Sequence, residues 1–160
     1  MGVGKTTVGA ILAERLNINL VDTDQLIEQK TNKSVAQLFT DHGEEYFRSL
    51  EQSTIREVLT LEPSVIATGG GLPCTAGAME HIIDRSDAVW LMLGVDKIVE
   101  RLIASSGRPL VQGLDMRVLR QQTAERLKSR RRYYQMADIH VQAWHSPARI
   151  ADRILKKRKR

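Results

Sequence analysis

The chain has 160 residues, 42% of them hydrophobic and 27% charged, with a formal net charge of +5. That suits one globular domain rather than a disordered chain, and no apolar run approaches the roughly 18 residues of a membrane helix. With no basic-then-apolar leader and a single cysteine, Cys74, neither a signal peptide nor an internal disulfide framework is expected, and a reducing compartment, the cytoplasm, is.

From the N-terminus, helices alternate with short apolar strands, the pattern of an α/β domain with a parallel sheet. TTVGAILAERL places Val8, Ile11, Leu12 and Leu16 on one helical stripe. INLVDTD reads as a short strand ending in polar residues. SVAQLF opens with a Ser34-x-x-Gln37 capping box. EEYFRSLEQSTIREVLTL is helical, with Pro63 close behind it. SVIATGGG is a β-branched run into three glycines, and AGAMEHIID a helix weakened by Gly77. DAVWLMLG is too apolar to alternate and reads as a fully buried strand. DKIVERLIA is a helix and SSGRPLVQG a loop. DMRVLRQQTAERLKSRRRYYQMA is one long helix with Asp115 as its N-cap. DIHVQA is a last strand, and SPARIADRIL a closing helix with Ser146 as N-cap and Pro147 in first position. The pattern yields four strands and about seven helices, with no internal repeat and no linker.

Chemistry-bearing residues recur at the ends of these elements. Gly4, Lys5 and Thr6 supply the last three positions of the phosphate-loop pattern G-x-x-x-x-G-K-[ST], whose first glycine would lie two positions before Met1. Gly2 and Gly4 let backbone amides approach an anion, and the following helix points its positive end there. Lys5 can reach β- and γ-phosphates, and Thr6 can hold Mg²⁺. In VDTD, strand alternation turns Asp22 and Asp24 to one side at a carboxyl edge, where carboxylates suit a metal or a substrate hydroxyl; Asp24 could instead cap QLIEQK. Arg48 in YFRSLE is either solvated or an anion contact. ATGGG either brings amides close to a ligand or forms a flexible turn. Arg108 in SSGRPLVQG could swing over a phosphate as part of a lid, or lie on a surface loop. Of the three arginines in SRRRYY, successive turns of about 100° leave room for one to face inward.

His42, His81, His140 and His145 lack metal-ligand spacing, and no Ser/His/Asp arrangement is legible. Much of the positive charge lies in KSRRRYY and in the terminal KKRKR. Only Tyr133 and Tyr134 adjoin a basic run, so the tail is expected to be a solvated helix end rather than a nucleic-acid or membrane surface.

Taken in order, GVGKTTVG, VDTDQ, FR, IATGGG, GRPLV and an arginine before a tyrosine and "AD" closely resemble shikimate kinase, from Gly2 to about Ile154. The resemblance implies a single P-loop kinase domain over residues 1–160, with substrate-binding helices at about 24–62, a lid at about 105–114 and a basic tail at 156–160. It implies a parallel sheet in strand order 2-3-1-4-5 between helices, and transfer of the γ-phosphoryl of ATP to the 3-hydroxyl of shikimate with Mg²⁺, in aromatic amino-acid biosynthesis. The implied ATP site comprises Gly2, Gly4, Lys5, Thr6, Thr7, Arg101 and the lid residue Arg108, with Arg101 stacking on adenine. Thr6 and, through water, Asp22 would serve Mg²⁺. Asp24 would bind the reacting hydroxyls and take the proton, so that Lys5, Asp24 and Arg108 form the catalytic set. Arg48 and Arg130 would hold the substrate carboxylate beside Gly69, Gly70 and Gly71. A cytoplasmic monomer acting on small molecules, without nucleic acid or membrane, is expected. The alternatives are a P-loop kinase of gluconate or a nucleoside monophosphate, and a non-catalytic nucleotide-binding chain.

One departure from the family bears on the fold. The family's first strand lies mid-sheet, and this sequence has no residues for it ahead of the phosphate loop. The expectation is a chain truncated at its start or an incomplete sheet. Each buried amide left without a partner costs about 1–3 kcal/mol, against a typical stability of roughly 5–15 kcal/mol.

Overall fold

The computed structural model describes residues 2–104 and 115–158. Its elements run α1 (Lys5–Leu16), β1 (Asn19–Asp22), α2 (Thr23–Thr31), α3 (Val35–Val58), β2 (Ser64–Ala67), a 3-10 turn (Leu72–Cys74), α4 (Ala78–Arg85), β3 (Val89–Met92), α5 (Val95–Ala104), α6 (Met116–Tyr134), β4 (Ile139–Gln142) and α7 (Pro147–Lys157). The boundaries have local causes. Asn17, in the left-handed region, closes α1 and donates its N–H to Ala13 and Glu14 carbonyls. The capping box forms: the Ser34 hydroxyl accepts from Gln37 N–H while the Gln37 side chain accepts from Ser34 N–H. Asp115 caps α6, its carboxylate accepting from Arg117 N–H at 2.8 Å. Gly77, which weakened the fourth helix on propensity, sits just ahead of it as N-cap with φ 73°. Gly43 (φ 80°, ψ 177°) breaks α3 into the two helical runs expected there.

One expectation needs correction. β1 stops at Asp22 and Thr23 already begins α2, so Asp24 lies on a helix and strand alternation does not relate it to Asp22. Ser146 is the N-cap of α7 and Pro147 its first residue, as expected, although the Ser146 side chain makes no capping bond. The described part of the basic tail is exposed at the end of α7, as expected, and makes two surface contacts. Lys157 donates to the His140 carbonyl at 2.8 Å, and Arg158 pairs with Asp87 at 3.0 Å.

The strands form two separate parallel pairs. β1 pairs with β2, from Asn19↔Ser64 to Asp22↔Ala67, and β3 pairs with β4, from Val89↔Ile139 to Met92↔Gln142. Among the described residues no strand joins β2 to β3. The four strands thus take the outer places of the order 2-3-1-4-5, with the central place vacant. Helices cover both faces, as a parallel sheet requires. On one face Val8 and Leu12 of α1 pack with Leu91, Ile98, Val141 and Ile150. On the other, Ile55, Leu72, Met79 and Ile82 pack with Ile66 and Trp90 at the edge. A third cluster, Ile27, Leu38 and Phe47, joins α2 to α3 beside the site described next.

Candidate active site

The carboxyl ends of β1 and β2 and the start of α1 converge on one region. Gly2 and Gly4 have φ of 69° and 88°, and Gly4 is the N-cap of α1 with no side-chain bond to the first-turn amides. An L-residue at Gly4 would be strained in that conformation. The result is a backbone concavity at a positive helix end, built for an anion. Lys5 follows at once. Burial lowers its pKa, opposed by the charges of Asp24 and Asp22.

Asp22 does two jobs. Its Oδ1 accepts from the N–H of Asp24 (3.1 Å) and of Gln25 (3.4 Å), which makes it the cap of α2. Capping therefore falls to Asp22 and not to Asp24. Its Oδ2 accepts from the Thr6 hydroxyl at 2.8 Å. Thr6 and Asp22 thus set two hard oxygen donors side by side next to the phosphate loop. That fits Mg²⁺, which binds few protein ligands and completes its shell with water and phosphate oxygens. Among the described residues no three His, Cys, Asp or Glu side chains converge as a metal site, so a dedicated protein cage is not what these residues offer.

Asp24 is poised differently. Burial, and then the charge of Asp22, raise its pKa, with Lys5 opposing. Its Oδ1 is buried and has no hydrogen-bond partner. Such an acceptor costs about 1–3 kcal/mol unless a donor arrives. A Cβ added at Gly69 would lie 2.6 Å from this oxygen and 2.7 Å from Oε1 of Glu51. At Gly71 it would collide with the Arg48 guanidinium. The glycines therefore let the β2–α4 backbone approach Asp24, Glu51 and Arg48 more closely than any other residue would.

That glycine segment is pinned rather than loose. The Gly69 N–H donates to the hydroxyl of Thr23, itself fully buried, at 3.1 Å. The Gly70 carbonyl accepts from the Tyr134 hydroxyl at 2.6 Å. The flexible-turn alternative is thereby corrected, and the Gly69 amide is taken up by Thr23.

Arg48 is stacked near the Phe39 and Phe47 rings. Its Nη1 donates to Glu51 at 2.5 Å, and its Nε and Nη2 donate to one oxygen of Glu44, at 3.2 and 2.8 Å. Glu51 is 1% exposed, whereas Glu44 is 68% exposed. The inner carboxylate fixes the guanidinium; the outer one holds it from the solvent side. Of the three successive arginines, Arg130 is half-buried and turned to Lys5, Glu51 and Tyr134, while Arg131 and Arg132 are exposed. Arg101 donates to the carbonyls of Val3 (3.1 Å) and Ala143 (2.8 Å), tying the phosphate loop to the end of β4. Thr7 is an exposed residue in the first turn of α1. Arg108 lies outside the described residues.

The shikimate kinase family profile matches residues 1–159. The chain belongs to the shikimate kinase family. It is 37% identical to a shikimate kinase of Sulfurihydrogenibium sp. (strain YO3AOP1), over 100% of this chain and 94% of that protein. The crystal structure of shikimate kinase from Bacteroides thetaiotaomicron superposes with a TM-score of 0.89 at 35% identity, covering 98% of this chain and 90% of that one. Shikimate kinase from Acinetobacter baumannii, in complex with shikimate, gives a TM-score of 0.88 at 32% identity, covering 98% and 87%.

Sequence reasoning missed three residues of this family member's site: Glu51, Thr23 and Tyr134. Glu51 follows Arg48 by three positions, a helical neighbour spacing that could have flagged the pair. Thr23 and Tyr134 act on the glycine segment from 46 and 64 residues away, and no local pattern announces such contacts.

Proposed function

We propose that the chain phosphorylates shikimate, transferring the γ-phosphoryl of ATP to the 3-hydroxyl and releasing ADP. The observation that carries this reading is the buried, unpartnered oxygen of Asp24, placed between the phosphate loop and the pinned glycine segment. Arg48 and Arg130 hold the substrate carboxylate through charge-assisted bonds. Asp24 accepts a hydrogen bond from the reacting hydroxyl. As that oxygen bonds to the γ-phosphorus and the bond to the ADP oxygen breaks, the hydroxyl proton passes to the Asp24 carboxylate. Lys5 and the amides behind Gly4 hold the phosphates. Thr6 and, through water, Asp22 would hold Mg²⁺, which would supply charge compensation for the phosphates. Arg108, from the 105–114 segment, adds positive charge at the transferring group, and Arg101 fixes the phosphate loop while its planar face addresses the adenine. Asp24→Asn in place of the carboxylate removes the base.

The test is ADP formation with ATP, Mg²⁺ and a panel of acceptors. Turnover that needs shikimate, and that gluconate and nucleoside monophosphates do not support, is expected. Turnover on gluconate instead, or ADP formation indifferent to any acceptor, would sink the reading.

A further inference from the structure

Thr23 lies between the two aspartates of the site and is fully buried. Its neighbours face other targets: Asp22 accepts from Thr6, and Asp24 lies against Gly69. The Thr23 hydroxyl accepts the Gly69 N–H at 3.1 Å. That bond extends the β1–β2 ladder by one step. The last pair of the parallel register is Asp22↔Ala67, so the next would oppose Thr23 to Thr68. The N–H of Gly69 would then reach for a main-chain carbonyl of β1. The chain at Thr23 has already turned into α2, whose first-turn carbonyls serve the helix, and the hydroxyl takes the carbonyl's place. The buried Gly69 amide thereby gains the partner that such groups require. Thr123, another buried threonine, spends its hydroxyl on the Leu119 carbonyl of its own helix. Thr23 instead joins elements 46 residues apart.

We propose that Thr23 is a positioning residue for the phosphoryl transfer, its hydroxyl holding Gly69 against Asp24 so that the carboxylate meets the reacting hydroxyl in the right place. This role rests on the shikimate-phosphorylating reading and adds a residue to it. A Cβ at Gly69 would lie 2.6 Å from Asp24 Oδ1, so the Gly69 backbone walls that unpartnered oxygen on one side. Thr23 and Asp24 are consecutive, so one turn of α2 carries both the carboxylate and the anchor of the wall facing it. Were Gly69 to draw back, water would enter and donate to Oδ1 in competition with the substrate hydroxyl. A misplacement of about 1 Å costs up to about 10²-fold in rate. Arg48 and Arg130 would still hold the substrate carboxylate, and the phosphate loop the nucleotide, so alignment suffers more than binding.

Thr23→Val keeps the shape of the side chain and removes the acceptor. It should lower kcat for shikimate about 10–100-fold, with the KM for shikimate and for ATP each within about threefold of the wild type. Calorimetric titration of this variant with a non-hydrolysable ATP analogue and Mg²⁺ should give full stoichiometry, the sign of an intact folded site. Thr23→Ser keeps the hydroxyl and should restore kcat. Thr123→Val, which deletes a hydroxyl bonded within its own helix, should leave kcat within about twofold of the wild type. Amide hydrogen exchange without ligand is the second measurement. It is read in Thr23→Ala, where a water can fill the space and keep the chain folded. There the Gly69 amide should exchange at least about tenfold faster than in the wild type. The role is overturned by an unimpaired Thr23→Val, by a Thr23→Ser as slow as Thr23→Val, by nucleotide stoichiometry falling in step with kcat, or by an unchanged Gly69 exchange rate. The exchange readout needs neither nucleotide nor shikimate, so its failure would leave the functional reading untouched. A wild type without shikimate-dependent turnover would strike that reading, and this role with it.

Discussion

At Asp24 the demands of stability and catalysis oppose each other. Its folded-state pKa is raised, chiefly by burial, so folding favours the neutral acid relative to the unfolded chain. The stability this contributes is fully present below the unfolded value of about 3.9 and is lost as pH rises through the folded value. The reaction needs the ionised form. Asp24→Asn should therefore melt higher than the wild type near neutral pH, with the gap closing as pH falls toward about 4. The same change should lower kcat by about 10²–10⁴-fold, the usual worth of a positioned base. Thermal unfolding across pH and steady-state kinetics check the two halves. A variant no more stable than the wild type at neutral pH would mean that Asp24 is not held at a cost. In the wild type, the acid limb of kcat/KM should lie above the ordinary aspartate range, in the direction set by that burial.

Among the elements, α6 contributes a contact whose purpose is visible only in three dimensions. Tyr134, in its last turn, donates to the Gly70 carbonyl, and its ring lies 5.9 Å from that of Trp90 on β3. One helix end thus steadies both the glycine segment and a strand of the other sheet. Tyr134→Phe keeps the ring and deletes one hydrogen bond of about 0.5–1.5 kcal/mol. It should raise the KM for shikimate about 2–12-fold, and leave the KM for ATP unchanged. Initial rates with each substrate varied in turn decide this; equal effects on both KM values would point to general destabilisation. The contact also marks how far the sequence could be read. Ser34, Gln37 and Asp115 announced helix starts because capping is local, and Gly4-Lys5-Thr6 announced an anion site because its spacing sits within one turn. Asp22 and Asp24 were legible as a pair for the wrong reason: the helix cap brings them together, not strand alternation. Which arginine of SRRRYY faces inward, and what pins the glycines, depends on how α6 lies against the glycine segment and the 3-10 turn after it, and local periodicity carries no information about that.

Across the whole molecule, the two sheets share no strand pair among the described residues, and the site draws on both halves. Lys5 and Thr6 start α1, which packs on β1, β2 and α7. Asp24, Arg48 and Gly69–Gly71 belong to the β1–β2 half, whereas Arg101 rises from α5 and bonds to the end of β4. ATP would engage residues of both halves, and shikimate would join Asp24 and Arg48 to Arg130 of α6. Whichever ligand binds first should fix the relative placement of the halves, leaving less ordering for the second. That is positive coupling without any direct contact between ligands being required. A non-hydrolysable ATP analogue with Mg²⁺ and shikimate together should therefore raise the thermal midpoint by more than the sum of their separate effects. The excess should correspond to a coupling of about 1–3 kcal/mol. Each separate shift should follow mass action, growing with the logarithm of ligand concentration. By reciprocity, shikimate should tighten the nucleotide analogue by the same factor as the analogue tightens shikimate, which calorimetric titration in both orders would measure. Strictly additive shifts and unchanged affinities would show instead that α1 and the Tyr134–Gly70 contact already hold the two halves rigidly in register.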